Sequence, residues 1–550
     1  MPTLALLAPI ALPLAASAIT VAGGLAGLKP GRAIVGAGAW AALAALLVVW
    51  LSVRSTQELN LGPLGFGAGL DLRVDGVAFA FGLTVLLPSA ILLSLQPRTW
   101  QEGTVAALGV AAAMLAIEGG GVLLTALAGG TAATLAVIHL DIEDVRAPRP
   151  PWGMLLAAWL ALSWAGASLQ VLGGTAVYAA VPGSALTVPV FSLLAAAALM
   201  ASGLFPWRGW VAQLWSRPSL RAAGMAVATL YPLGFYLLVR AYELGGGRYP
   251  QPLLGVALSS WGVLVAFGAA MRAQSAATRR EYLAEVIPGF GGFALMAVAL
   301  GTPVGLVAGL VTLATAGVLA ACLPLLPDKA GPASLLTIAA AMGLPPGLAF
   351  GARVVGLEAT FEAGEFFGLI GIAGAATWVV SMVAAARAIG LPAGRGHPAS
   401  ETFPSVAMAL AALTLVAGPA LALVQSAFAS PAQANVMPLP QGSPTGGLTS
   451  VLTVSTVLPA VTLFIPLLVL GALAYAAAGG FNIRAGARPA LFATPGAAAI
   501  GRLLAQVRAA AVPDEYRSIF NPRAIELAAA GGQPFMWLAA VAALAYAVTR

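Results

Sequence analysis

Residues 33–53, AIVGAGAWAALAALLVVWLSV, run without a single charged side chain, and such runs recur along the whole chain. A helix needs about 20 apolar residues to cross the hydrocarbon core of a bilayer. About sixteen runs of that size are spaced from 3–28 to 533–549, including 74–95, 121–140, 222–242, 303–326 and 366–388. Of 550 residues, 60% are hydrophobic and 8% charged; a soluble domain carries about 25% charged residues. That much apolar surface cannot be hidden in a globular core, so lipid is the solvent. The fold class expected is an all-α polytopic membrane protein with about 14–16 transmembrane helices. The opening run lacks a basic leader and is too long for a signal-peptide core, so it reads as a retained first helix.

Charge and cysteine content exclude several functions. Lys and Arg outnumber Asp and Glu by 26 to 19, but the arginines stand singly in short loops. They read as flanks of membrane helices under the positive-inside rule, not as a nucleic-acid surface. Cys322 is the only cysteine and His139 and His397 the only histidines. A disulfide, a cysteine-held cluster, a metal site and a nucleophile–histidine–acid set are all unsupported. An active site of its own is therefore not expected in this chain, nor is a cofactor. Glycine-rich 364–376 reads as close helix packing.

Two runs are interrupted. LFPWRGW (204–210) follows Gly203 and places Pro206 in the break; MGLPPGLAFGAR (342–353) places Pro345 and Pro346 after Gly343. Paired interruptions in two halves are the sequence mark of an inverted-repeat transporter and its pathway, although two unrelated proline kinks would look the same. Trp207, Trp210 and Trp215 read as an interfacial aromatic anchor. Residues 430–450 form a Pro/Gly/Ser-rich loop. Further on, Thr494 and Pro495 begin a helix whose Ile500, Leu503, Leu504 and Val507 share one face. Such a helix can lie along the membrane surface or be an ordinary loop helix.

LFPWRGW followed by LYPLGFYLLVR (230–240) resembles the joint in antiporter-like membrane subunits of respiratory complex I, Mrp antiporters and group 4 membrane-bound hydrogenases. LRVDGVAFAFGLTVLL (72–87) is similar to the family's third helix and GLPPGLAFGAR (343–353) to its second broken helix. The resemblance covers most of 70–390 and implies two inverted five-helix repeats, at 101–245 and 246–390. They would follow N-terminal helices at 1–100 and precede further core helices at 391–478, an amphipathic lateral segment at 479–532 and a last helix at 533–550.

The family moves protons along intramembrane ionisable groups, which are expensive in lipid and functional by default. Position by position, the resemblance puts Ala128, Ala201, Pro232, Thr315 and Leu319 where the family carries glutamate, lysine or histidine. The only lysines, Lys29 and Lys329, lie elsewhere. Three residues remain as candidate remnants of a pathway. Arg353 falls at the family's final lysine or glutamate, or else pairs with Glu358, Glu362 or Glu365. Arg280 is a pathway end, or part of a solvated helix-end cluster with Arg279, Glu281 and Glu285. Glu118 falls at a helix junction and reads as a helix-end residue. Arginine does not readily give up its proton, so the expectation is a degenerate relay on a kept framework.

The resemblance implies a scaffolding subunit of a redox-driven, NADH–quinone oxidoreductase-like or hydrogenase-like complex. Its partners would be other membrane subunits, with iron–sulfur subunits in the same assembly, and membrane lipids. Its place would be a bacterial inner membrane. The alternative is an active proton or sodium translocator, including the cation-coupled partner of a carbon-uptake complex.

Overall fold

The computed structural model describes residues 2–437 apart from 29–31, 66–67, 96–98, 144–151, 205–208, 216, 218–219, 328–330, 346 and 393–401. The expected lateral segment and last helix, with Lys29, Lys329, His397, Pro206, Trp207 and Pro346, lie outside the described residues.

Eleven described helices are long and apolar enough to cross a membrane. The chain begins with α1 (Ala8–Leu25) and α2 (Arg32–Val53), and then makes an antiparallel hairpin of β1 (Gln57–Gly65) and β2 (Ala68–Val74). The hairpin was not expected from the sequence. Its β2 leads directly into α3 (Gly76–Leu95). Next come α4 (Trp100–Glu118), α5 (Val122–Glu143) and α6 (Trp152–Gly173). A split pair follows, α7 (Val188–Ala201) and α8 (Gly209–Trp215), then α9 (Arg221–Leu244).

The same order then repeats. Three long helices, α10 (Pro252–Ser275), α11 (Arg279–Val298) and α12 (Pro303–Cys322), precede a split pair. That pair is α13 (Pro332–Met342) and α14 (Leu348–Glu362), and α15 (Glu365–Ala388) closes the series. A shorter α16 (Pro404–Val416) follows. Ser430–Val436, expected as loop, is helical. Its Asn435 accepts a hydrogen bond from the Gly76 amide at 2.9 Å, because the first amides of α3 have no partner within their own helix.

Local chemistry sets the helix starts. The hydroxyls of Thr99, Thr278 and Thr302 each accept from the amide three residues on, at 3.1–3.2 Å. Asp75 does the same for α3, accepting from the Ala78 amide at 2.8 Å.

The core is built around α9, which is buried along its whole length. In contrast, α1 and α2 are less than half buried and leave Leu25, Val48 and Leu51 exposed, as suits a lipid-facing surface. Small residues let the inner helices close on one another. A Cβ added at Gly234 of α9 would lie 2.3 Å from the Ser202 amide nitrogen, and one at Gly292 of α11 would lie 2.5 Å from the Gly262 carbonyl of α10.

Candidate ion pathway

Both ends of α9 carry buried arginines held by carboxylates. At the hairpin end, Arg240 is 1% exposed. It donates from Nη1 to Asp75 Oδ2 at 2.7 Å and from Nη2 to Asp75 Oδ1 at 3.0 Å, the two-pronged geometry in which a guanidinium binds a carboxylate best. Glu243, one turn on, also accepts from Arg240 and from Arg73 of β2 at 2.7 Å. Arg73 Nε reaches Asp75 at 3.1 Å. Two arginines thus neutralise two acids, so the group carries no net charge into the protein interior.

Tyr236 accepts from Arg240 Nε at 3.1 Å, and the guanidinium lies over the rings of Tyr178 and Tyr236. Tyr178, in the connection after α6, donates to Thr125 Oγ1 at 3.3 Å. Burial pushes its phenol well above the ordinary range, so it stays protonated.

At the other end, Arg221 donates to Glu143 Oε1 at 3.1 Å and Glu102 Oε2 at 3.3 Å. Glu143 also accepts from the Ala222 amide at 3.1 Å, and Arg217 donates to the Leu140 carbonyl at 2.9 Å. Nineteen steps along the helix, about 28 Å, separate Arg221 from Arg240. Between them, Thr229 donates to the carbonyl of Met225 at 2.8 Å and Tyr231 to that of Ile287 at 3.2 Å.

Pro232 lies within that interval on α9, and the resemblance groups it with Ala128, Ala201, Thr315 and Leu319. Ala128, Ala201, Pro232 and Leu319 are all buried. Thr315 is buried too, and its hydroxyl donates to the Val311 carbonyl at 2.9 Å. None of the five presents a group that takes up and releases protons. No group of His, Cys, Asp and Glu among the described residues could hold a metal ion.

The two helix breaks share a design. Each half-helix ends at a left-handed glycine, Gly203 at φ 67° and Gly343 at φ 69°, a conformation that costs other residues about 1–2 kcal/mol. Ending a helix inside lipid leaves its last carbonyls without donors. At the first break, Trp210 Nε1 donates to the carbonyls of both Met200 and Ala201 at 3.1 Å. Trp210 and Trp215 are thus not the expected interfacial anchor: both are buried, and Trp210 caps a helix end.

At the second break, Arg353 Nη1 donates to the Met342 carbonyl at 2.8 Å and Nη2 to that of Ala341 at 3.3 Å. Trp378 Nε1 adds a bond to Met342 at 3.0 Å. The guanidinium lies 4.8–5.5 Å from the ring centres of Phe290, Phe293 and Trp378. Among the described side chains, no carboxylate forms the ion pair offered as one reading of Arg353. The bonds of Arg353 go to carbonyls, Glu358 and Glu362 do not reach it, and the Glu365 side chain lies outside the described residues.

The other two candidates also differ from expectation. Arg280 donates to the Arg217 carbonyl, and its neighbours are not a solvated cluster, since Arg279 and Glu285 are buried. Glu285 pairs with Arg272 at 3.3 Å, and Glu281 accepts from the Ala277 amide at 2.8 Å. Glu118 does end α4, yet it is 0% exposed and neither carboxyl oxygen has a hydrogen-bond partner. Its surroundings are the Gly119–Gly121 turn, pinned by bridges to Leu72 and Val177. No hydrogen bond or ion pair joins Glu118, Arg280 and Arg353. The networks at the ends of α9 had not been anticipated.

No protein-family model matches the sequence, and no curated protein does. Solved structures do match in fold. A chain of the Mrp complex from Dietzia sp. DQ12-45-1b aligns at a TM-score of 0.67 and 19% identity, over 92% of this chain and 62% of that one. The chain thus spans about three fifths of that relative's length. A chain of the membrane-bound sulfane sulfur reductase, an archaeal respiratory membrane complex, aligns at 0.66 and 15% identity over 84% and 85%. A chain of respiratory complex I from Thermus thermophilus aligns at 0.63 and 20% identity, over 82% of this chain and all of that one. The fold is that of chains in these membrane complexes, as the resemblance implied.

Proposed function

We propose that this chain is an antiporter-like subunit of a multi-subunit, redox-driven ion-pumping membrane complex, complex I-like or group 4 hydrogenase-like, with a proton route of its own that is interrupted. Its main task is then structural: it docks neighbouring membrane subunits and keeps the shape of the membrane arm. The observation that carries this reading is the pairing of a kept framework with an untitratable middle. The split helices stand in order, while Ala128, Ala201, Pro232, Thr315 and Leu319 are packed inside. The repeated order of three helices, a split pair and a further helix supports two inverted repeats at 101–245 and 246–390. Iron–sulfur subunits in the same assembly and a bacterial inner membrane belong to the same proposal.

A tagged copy purified in mild detergent from its native membrane tests the assembly. Other integral membrane subunits and iron–sulfur subunits should elute with it in fixed ratio. Isolation as a lone chain would overturn the subunit reading.

One observation favours active translocation as a second reading. Ion pairs run inward from exposed Glu58 through Arg73, Glu243 and Asp75 to Arg240, whose guanidinium stacks over the ring of Tyr178, and Tyr178 bonds Thr125. Thr125 donates to the carbonyl of Ala116, two residues before the unpaired Glu118. A half-route ending at Glu118 would require that carboxyl to exchange protons.

A further inference from the structure

A cleft of about 40 Å³ lies where α8 ends and α11 and α13 begin, and Trp215, Arg279, Arg280 and Ser334 line it. Four donor atoms there are buried without a hydrogen-bond partner: Trp215 Nε1, Arg279 Nε and Nη1, and Ser334 Oγ. Trp215, Arg279 and Ser334 are 2%, 5% and 2% exposed. A buried donor without an acceptor is costly, so four on residues that line one cleft mark a place made for an acceptor.

The remaining bonds of Arg279 are structural. Its Nη2 donates to the Leu391 carbonyl at 3.0 Å and its amide to the Pro392 carbonyl at 2.8 Å. These contacts fix the side chain while leaving two of its nitrogens free. Nothing in the described lining is acidic; Glu281 and Glu285 are committed elsewhere. The first turns of α11 and α13 begin here, and their positive ends favour an anion.

We propose that this cleft binds the phosphate of an anionic phospholipid headgroup. Four donors suit a tetrahedral oxyanion with several acceptor oxygens better than a chloride ion or a single carbonyl. The cleft sits at helix ends, where headgroups lie, and its Leu283, Leu323 and Leu326 supply an apolar wall for the glycerol and upper acyl chain. The uncompensated charge of Arg279 selects an anionic lipid over a zwitterionic one. This inference does not depend on the subunit reading.

The test uses the full chain, delipidated in detergent, with phosphatidylglycerol, phosphatidylcholine or inorganic phosphate added separately. Native mass spectrometry and thermal melting are the readouts. Phosphatidylglycerol should be retained about tenfold better than phosphatidylcholine, the equivalent of one interaction of 1.4 kcal/mol, and should raise the melting temperature. Ser334→Ala and Trp215→Phe remove donors that bond nothing in the protein. Both should fold normally without lipid, yet lose phosphatidylglycerol retention severalfold; Arg279→Gln should lose it most. An equal shift with inorganic phosphate alone would keep the oxyanion site and make free phosphate its ligand. Wild-type protein that retains neither would overturn the proposal. So would retention unchanged in all three variants.

Discussion

Arg240→Gln should destabilise the folded chain by about 3–5 kcal/mol, the range for removing one partner from a buried ion pair. Asp75, 0% exposed, would lose both bonds of its two-pronged partner, and Glu243 would lose a second cation. Arg73 alone would then face buried Asp75 and partly buried Glu243. The damage would spread, because Asp75 also caps α3 and Arg240 anchors the wholly buried α9. Arg240→Lys should lose less but not nothing, since an ammonium keeps the charge without the fork. The double variant Arg240→Gln with Asp75→Asn should be more stable than the sum of the single losses implies, because no carboxylate is stranded. Denaturant titration in detergent, or the yield of monodisperse protein, checks all three.

Arg353→Met should cost about 3 kcal/mol while leaving ion translocation by the assembled complex unchanged. Hydrogen bonds from a charged donor contribute about 1.5–3 kcal/mol each, and a desolvated cation over aromatic rings about 2. Relief from burying the charge offsets part of that sum. The carbonyls of Met342 and Ala341 would lose their guanidinium donor, with Trp378 left to bond Met342 alone. Methionine keeps the bulk against Phe290 and Phe293, so the loss reports capping more than cavity formation. Arg353→Lys should recover about half. A variant that folds as well as wild type would contradict the capping role.

The membrane helices were legible because bilayer thickness fixes run length, and the breaks because glycine and proline punctuate otherwise apolar runs. Gly203 and Gly343 stand where the chain turns left-handed. The hairpin escaped notice because its alternation, as in Glu58-Leu59-Asn60-Leu61, is short beside the surrounding runs.

The ion networks were invisible for a different reason. Arg240 and Asp75 lie 165 residues apart, Arg221 and Glu102 119, and pairing over such distances has no local signature. Trp210 and Arg353 were misread alike. Tryptophan near a helix end resembles an interfacial anchor, and arginine near Glu358 resembles half of an ion pair. What each meets is a backbone carbonyl, a partner that every sequence offers everywhere. Glu118 was placed correctly at the end of a helix, but its burial comes from the Gly119–Gly121 turn folding against Leu72 and Val177.

On the proposed reading, no working relay crosses this chain. In the first half, Asp75, Glu102, Glu143 and Glu243 are tied to arginines, which leaves Glu118 as the described buried carboxyl there without a partner. The deciding measurement is proton uptake per electron pair in vesicles holding the intact complex, wild type against Glu118→Gln, with assembly verified in both. The same stoichiometry is expected in the two preparations. A fall in protons moved per electron pair, in a fully assembled Glu118→Gln complex, would mean that a route through this chain is in use.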